Sequence, residues 1–564
     1  MSHDHKVVSF QLPLEDSPDA FLRNEYSYKQ VHQHATLRAP PSSVSPRIWR
    51  FFKYPYPHSL YAIAYHFSLF IALSIIPQTS STSNINVILM VSDGFGPASE
   101  TMARQFKHTI HKLPVSWQSP LDKILVGSSR TQSSDSLVTD SAAGATAFAC
   151  GLKSYNGAIG VDPKGRPCGT ILEAAKLQGM LTGMVVTSRI THATPGSFSS
   201  HVVFRDMEDL IAEYQIGNYT LGSTVDLIFG GGKCFFLPNT DPETCRSDDR
   251  DLWKEAISSG FTTFSSLSEF NSLNNSTRLP VLGLFTRSHM NYEIDRNPSE
   301  QPSLAEMTKK ALEILDYKSK SKDAGFFLMV EGSRIDMAAH QNDPSTHVRE
   351  IIAYWDAVQV VRNYIKQNPN TVVISVSDHE TGGISVARQI SEKYPDYTWK
   401  PHVLARVTKS NELITSALLA FTMSNSHPGS FMQQKKEFVR HTVLSTWMGV
   451  NDYTEEDVDR LATYQDYGRI QQCLSDIISK RALIGWATHG HSSVDVNLYV
   501  SGYNSQKLRG NVENIEIGHF IKNTLNLDLD KVTKLISKER TEQKYKSSSS
   551  KLPDILQKLY YDHN

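Results

Sequence analysis

The chain has 564 residues, 40% hydrophobic and 20% charged, which is enough apolar material for a large folded core and excludes a wholly disordered polymer. A formal net charge of -1, without a basic stripe, removes the global electrostatic ground for binding nucleic acid. The five cysteines, Cys150, Cys168, Cys234, Cys245 and Cys473, contain no Cys-x-x-Cys pair and so argue against thiolate zinc and thioredoxin-like chemistry.

In chain order, residues 1–58 are polar and proline-containing without sustained periodicity, the pattern of a disordered cytosolic tail. Ser59 to Ile76, SLYAIAYHFSLFIALSII, then carries no charge; Arg47, Arg50 and Lys53 precede it, and none follows in QTSSTSN. About 18 apolar residues lie at the short end of what crosses a bilayer, and basic residues on one side fit a signal anchor with its N-terminus cytosolic. A buried helix is the competing reading, favoured by His66 and the serines. The expected organisation is therefore a tail (1–58), an anchor helix (59–76), a catalytic domain (85–535) and a C-terminal tail (536–564).

Beyond the anchor, NVILMVSDG (86–94), GMVVTSRI (183–190), DLIFGGG (226–232), VLGLF (281–285), GFFLMVEG (325–332) and TVVISVSDHE (371–380) read as buried strands. Near-continuous apolar runs alternating with helices such as SLAEMTKKALEILDY indicate an α/β fold: a mostly parallel central sheet with helices on both faces. Trp399 to Lys480 is helix-rich and reads as an insertion or cap, and KYKSSSSK reads as a flexible linker. Between the first two strands, LVTDSAAGATAFACGL sets Asp140 and Ser141 at the head of a small-residue helix. Thr139 or Asp140 could be a plain N-cap there; the sharper reading is that Ser141 faces a phosphate collected by the helix N-terminus.

Ligands of open α/β sheets sit outside the carboxyl ends of the strands, and here three strands end in polar groups. They deliver Asp93; Glu331, Asp336 and His340; and Asp378 with His379. Asp and His without Cys suit catalytic zinc, and a neighbouring all-oxygen set suits magnesium. Asp336 and His340 are four apart, on one face of a helix. Cys150 with Cys168 and Cys234 with Cys245 could be disulfides in an oxidising compartment or thiols in a cytosolic one; the sequons at Asn218, Asn274 and Asn275 favour the former.

VSDGFGPAS, VTDSAAGATAFACGLKSYNGAIGVD, THATPGSFSSHVVFR, VEGSRIDMAAHQND, VSDHETGG and THGHSSVDV occur in this order and together resemble the alkaline phosphatase family, most closely its fungal vacuolar branch, over roughly residues 85 to 530. The resemblance implies broad hydrolysis of small-molecule phosphate monoesters, with Ser141 as the nucleophile that becomes a phosphoserine. It implies one zinc on Asp93, Asp378 and His379, a second on Asp336, His340 and His491, and a magnesium shared by Asp93, Thr194 and Glu331. Arg205 would grip two phosphate oxygens and Asp140 would aim it. The pattern H-x-x-x-D-V fits His491 better than His489. A homodimer and a vacuolar membrane location, with the catalytic domain lumenal, are implied in the same way.

The chain departs from the family at two positions near the magnesium set, which are Asp with Lys in bacterial members, Asp with His in the fungal type and His with His in animals. Here they are His192 and Met337. Met337 can neither coordinate through water nor donate to phosphate, so weaker phosphate binding and altered magnesium dependence are expected. Sulfatases need a modifiable Cys or Ser motif and nucleotide diesterases carry Thr at the nucleophile, and DSAAGAT fits neither. A membrane-anchored pseudoenzyme or binding module, with weak diesterase activity on the side, would require lost ligands, and every expected ligand is present.

Overall fold

The computed structural model describes residues 84–422 and 430–546. The expected N-terminal tail and the anchor at 59–76 lie outside the described residues, as does the chain after 546. Among the described residues no helix is long and apolar enough to cross a membrane.

The strands in chain order are β1 (Asn86–Ser92), β2 (Leu125–Arg130), β3 (Leu181–Arg189), β4 (Leu227–Gly231), β5 (Thr262–Phe264), β6 (Val281–Leu284), β7 (Phe326–Gly332) and β8 (Thr371–Val376). They continue with the two-residue strands β9 (Glu380–Thr381), β10 (Ser385–Val386), β11 (Ile484–Gly485) and β12 (His491–Ser492), then β13 (Val496–Gly502) and β14 (Gly510–Glu513). Ten of them form one sheet in the order β14-β2-β13-β8-β1-β7-β3-β4-β6-β5. Its pairings are parallel except those of β13, which runs antiparallel to both β2 and β8. All six strands read from the sequence are present. β2, β5, β13 and β14 were not anticipated: β2 is a partly exposed LVGSSR and β14 an exposed GNVE, without the apolar run of a central strand.

The helices that matter for the site are α1 (Ser141–Cys150), α2 (Ala193–Ser199), α3 (Leu304–Ser321), α4 (Arg334–His340), α5 (Pro344–Gln367), α6 (Asn514–Leu525) and α7 (Leu529–Lys546). β1 is buried at every position, and its side chains alternate between two cores. Ile88 and Met90 pack with residues of α3 and α5, whereas Val87, Leu89 and Val91 pack with residues of α1 and α6. Burial on both faces is why this strand reads as an unbroken apolar run rather than an alternating one.

β10 and β11 pair antiparallel and close residues 387–483 into an excursion. Its helices, Pro401–Arg406, Asn411–Leu419, Phe431–Phe438, Glu455–Thr463 and Tyr467–Ala482, form the expected helix-rich insertion. Arg334 of α4 reaches Glu412 in it at 2.6 Å, and Asp343 accepts the N–H of Asn411 at 2.9 Å, so the insertion is fastened beside the site. Cys150 is bonded to Cys168 and Cys234 to Cys245, while Cys473 is a buried thiol. Asn218, Asn274 and Asn275 are exposed. α7 runs across residue 535, so the KYKSSSSK stretch begins inside a helix.

Candidate active site

The site lies at the carboxyl edge of four neighbouring strands, β8, β1, β7 and β3, because parallel neighbours end on the same side. Asp93 follows β1, Glu331 is the sixth residue of β7, Asp378 and His379 follow β8, and α2, which carries Thr194, follows β3. α4 then supplies Asp336 and His340, whose Oδ2 and Nε2 are 3.3 Å apart across one helical turn.

Asp140 is the N-cap of α1, its Oδ1 accepting the N–H of Ala143 at 2.9 Å, and Ser141 is the first helical residue. The N-cap reading of this stretch therefore holds for Asp140, and Ser141 stands at the head of the helix. Every residue of α1 is buried, and a Cβ on Gly144 would stand 3.0 Å from Cβ of Asp378, so the small-residue run lets the helix approach the strand ends. Oγ of Ser141 lies 3.0 Å from Nε2 of His379 and 3.4 Å from Oδ1 of Asp93. Nε2 of His379 is in turn 3.6 Å from that Asp93 oxygen and 3.3 Å from Oδ2 of Asp378.

Three imidazoles share one arrangement. Nδ1 of His379 meets Oγ1 of Thr381, Nδ1 of His340 meets the carbonyl of His489, and Nδ1 of His491 meets the carbonyl of Thr139. Acceptors on the Nδ1 side take a proton there and aim each Nε2 inward. Nε2 of His340 and Nε2 of His491 then face each other at 3.1 Å, with Oδ1 of Asp336 3.7 Å from the latter. The rings of His379 and His491 stack with centroids 3.5 Å apart. Asp93, Asp378 and His379 form one group of converging ligand atoms, and Asp336, His379 and His491 another, with His340 beside it. Between His489 and His491, geometry favours His491, since the side chain of His489 is exposed and bonded to Gln472.

The oxygens around these rings also await a partner. Asp93 Oδ2, Asp378 Oδ2 and Glu331 Oε1 are buried without a hydrogen bond, and the Thr194 hydroxyl lies beside the Glu331 carboxyl. Lone pairs converging without donors are what a bound cation requires, so the residues fit two nitrogen-and-carboxylate metal positions and a neighbouring oxygen position. Electrostatics agree. Burial, reinforced by Asp378, Asp336 and Glu331, holds the Asp93 carboxyl well above the usual range. Burial with the charges of Asp336 and Glu331 pushes Asp378 up to about 7, and burial pushes Glu331 up to about 7. For Asp336 burial opposes ionisation, yet His340, His491 and His379 hold its carboxyl well below the usual range. His340 is resisted by burial but raised to about 9 by Asp336. Four buried carboxyls gathered in one cluster form a site short of positive charge.

Arg205 is half-buried, Nη1 donating to Oδ2 of Asp140 at 3.2 Å and Nη2 to Nε2 of His192 at 3.0 Å. Met337, next to Asp336 on α4, is half-buried too. The structure thus gathers every anticipated site residue: Ser141, Arg205, Asp140, Asp93, Thr194, Glu331, Asp336, His340, Asp378, His379 and His491. Sequence reasoning missed Thr381 and the carbonyls of Thr139 and His489. Thr381, two residues after His379, was readable as a neighbour; the carbonyls carry no side-chain signal.

The family model for alkaline phosphatase matches residues 84–527. The chain is 49% identical over 480 residues to the repressible alkaline phosphatase of Saccharomyces cerevisiae, covering 81% of this chain and 84% of that protein. It is 48% identical over 450 residues to an alkaline phosphatase of Schizosaccharomyces pombe, covering 79% and 82%. The solved cold-active alkaline phosphatase from the psychrophile Shewanella sp. is similar with a TM-score of 0.66 and 30% identity, over 78% of this chain and all of that one.

Proposed function

The chain belongs to the alkaline phosphatase family, a family of phosphomonoester hydrolases, and from that membership we propose that Ser141 is the nucleophile of a two-step hydrolysis through a phosphoserine. The carrying observation is the placement of Ser141 Oγ at the buried head of α1, against His379 and Asp93 and beside the Asp140–Arg205 pair. Asp93, Asp378 and His379 would hold one zinc, Asp336, His340 and His491 a second, and Asp93, Thr194 and Glu331 a magnesium. These ions, when bound, supply the positive charge that makes a serine or water oxygen nucleophilic near neutral pH and stabilises a departing alkoxide.

The chain's own groups do the rest. Arg205 offers its planar fork to two phosphate oxygens, and Asp140 and His192 keep that fork from swinging into solvent. The N-terminal end of α1 adds partial positive charge where the phosphoryl group docks. Oγ of Ser141 attacks phosphorus as the ester oxygen leaves opposite; water then attacks the phosphoserine, releasing inorganic phosphate and restoring the hydroxyl. Binding is confined to the phosphoryl group and the reacting oxygens, so the organic part of the monoester can vary.

The test is hydrolysis of a chromogenic phosphate monoester across pH 6 to 10 by the natural chain, Ser141→Ala and a chelator-treated sample given back zinc and magnesium. Activity should rise at alkaline pH, vanish with the serine or the metals and return with zinc. Retained turnover in Ser141→Ala would overturn the reading. The location proposed is the vacuolar membrane, with the catalytic domain lumenal and paired as a homodimer. The uncharged 59–76 stretch, two disulfides, three exposed sequons and the similarity to fungal relatives support that location. Glycosidase sensitivity, protease protection of the catalytic domain in intact vacuoles and the mass in solution check it.

A further inference from the structure

The tripeptide Tyr155–Asn156–Gly157 lies in the loop closed by the Cys150–Cys168 bond and belongs to neither the nucleophile helix nor the arginine segment. It nevertheless touches both. The side-chain oxygen of Asn156 accepts the backbone N–H of Asp140 at 3.0 Å, and its amide nitrogen donates to the carbonyl of Val138 at 3.0 Å. Gly157 donates its N–H to Oδ2 of Asp140 at 2.9 Å, the same oxygen that receives Arg205. The hydroxyl of Tyr155 donates to the carbonyl of Val203, two residues before Arg205, at 2.8 Å. Gly157 has φ +88°, and a Cβ there would stand 2.9 Å from the ring of Phe204, so the turn is pressed directly against the arginine segment.

We propose that Asn156 is the positioning residue of the phosphate grip: by pinning Val138 and Asp140 with one amide, and with its neighbours bracing Asp140 Oδ2 and Val203, it sets where Arg205 and the head of α1 stand relative to each other. The physical need is plain. Asp140 must cap α1 through Oδ1 and hold Arg205 through Oδ2, so a small rotation of its backbone would spoil both at once. An amide fits because Val138 presents an acceptor and Asp140 a donor side by side, and only a side chain with one group of each kind answers both. Asn156 itself is held by its backbone N–H on Oδ1 of Asp135 at 3.0 Å. This role rests on the reading of Arg205 as the phosphate-binding group.

The test measures KM for a chromogenic monoester and inhibition by inorganic phosphate in the natural chain, Asn156→Ala, Tyr155→Phe, Arg205→Ala and the double variant Asn156→Ala/Arg205→Ala. Asn156→Ala should raise KM and the phosphate inhibition constant together by about tenfold, the usual size of two lost hydrogen bonds. Tyr155→Phe should shift both in the same direction by about threefold, and it carries the test if Asn156→Ala fails to fold. In the Arg205→Ala background the Asn156 substitution should weaken phosphate inhibition clearly less than it does in the natural chain, because one of the two groups it positions is gone. Unchanged phosphate inhibition in the single variants, or additive losses in the double one, would overturn the proposal. If Arg205→Ala itself left phosphate inhibition intact, the reading of Arg205 would fall, and this role with it.

Discussion

The hydroxyl of Thr381 donates to Oδ1 of Asp336 across 2.5 Å. An ionised carboxylate only accepts, so the same hydroxyl oxygen takes the Nδ1 proton of His379, 3.2 Å away. One side chain thereby fixes the tautomer of an imidazole in one ligand group and the orientation of a carboxylate in the other. Replacing it with an isostere that cannot hydrogen-bond, Thr381→Val, should weaken zinc binding by roughly 10- to 100-fold, and Thr381→Ser should recover most of it. Competition against a chromogenic chelator measures this without reference to turnover; equal zinc affinity in natural chain and Thr381→Val would refute the coupling.

Ser141 touches the ligand groups, but Thr381, Thr139 and His489 orient them. Ser141→Ala should therefore lose at least about 10³-fold in kcat, the scale seen when a nucleophile is removed, while taking up the same amount of metal. Turnover and metal content measured on the same preparation separate the two effects. A loss of metal equal to the loss of activity would mean that Ser141 supports the site rather than reacting in it.

Met337 stands beside Asp336 on α4, half-buried, at a position where the family resemblance leads one to expect an imidazole or ammonium instead of a thioether. Met337→His should tighten phosphate inhibition by roughly threefold, the scale of a partly exposed charged contact, and should change the response to added magnesium. Identical inhibition and identical magnesium response in the two proteins would dismiss a role for this position.

Glu100 is buried away from the site, accepting from the hydroxyl of Ser119 at 2.6 Å and the indole N–H of Trp355 at 3.1 Å. Burial is the largest influence and raises its carboxyl to about 7 against those two donors. Between the ordinary value of 4.5 and about 7 the folded chain keeps a proton that the unfolded chain has released. Stability is consequently lost as pH rises through that window, and the cost is complete above it. Glu100→Gln keeps an acceptor for Trp355 and a donor for Ser119. It should stay close to the natural chain near pH 5 and exceed it by about 3 kcal/mol at pH 9. Thermal denaturation midpoints at the two pH values check the sign; a variant equally or more stable at pH 5 than at pH 9, relative to the natural chain, would contradict it.

Much of this molecule was open to reading because its chemistry is local in the chain. NVILMVSDG, GFFLMVEG and TVVISVSDHE are apolar runs ended by acids, and a strand buried on both faces must look that way, so the strands, the sheet type and the acids gathered at their ends could be taken from the residues alone. Asp336 and His340 meet across one helical turn, a distance that spacing determines by itself. The same is true of Asp140 capping the helix that starts at Ser141.

What tertiary structure alone decided involves partners hundreds of residues apart or groups without a side-chain signature. The carbonyl of Thr139 orients His491, and the carbonyl of His489 orients His340; every residue has a carbonyl, so no pattern marks these two. β2 and β14 are strands only because β13 and the sheet edge provide their hydrogen bonds, not because their residues prefer it. Asn156 is one polar residue in a loop until the fold sets its amide between Val138 and Asp140 and its neighbours against the segment that carries Arg205. Side-chain identity and spacing determined which groups can do the chemistry; the direction in which each group points was decided by backbone contacts that exist only once the chain has closed.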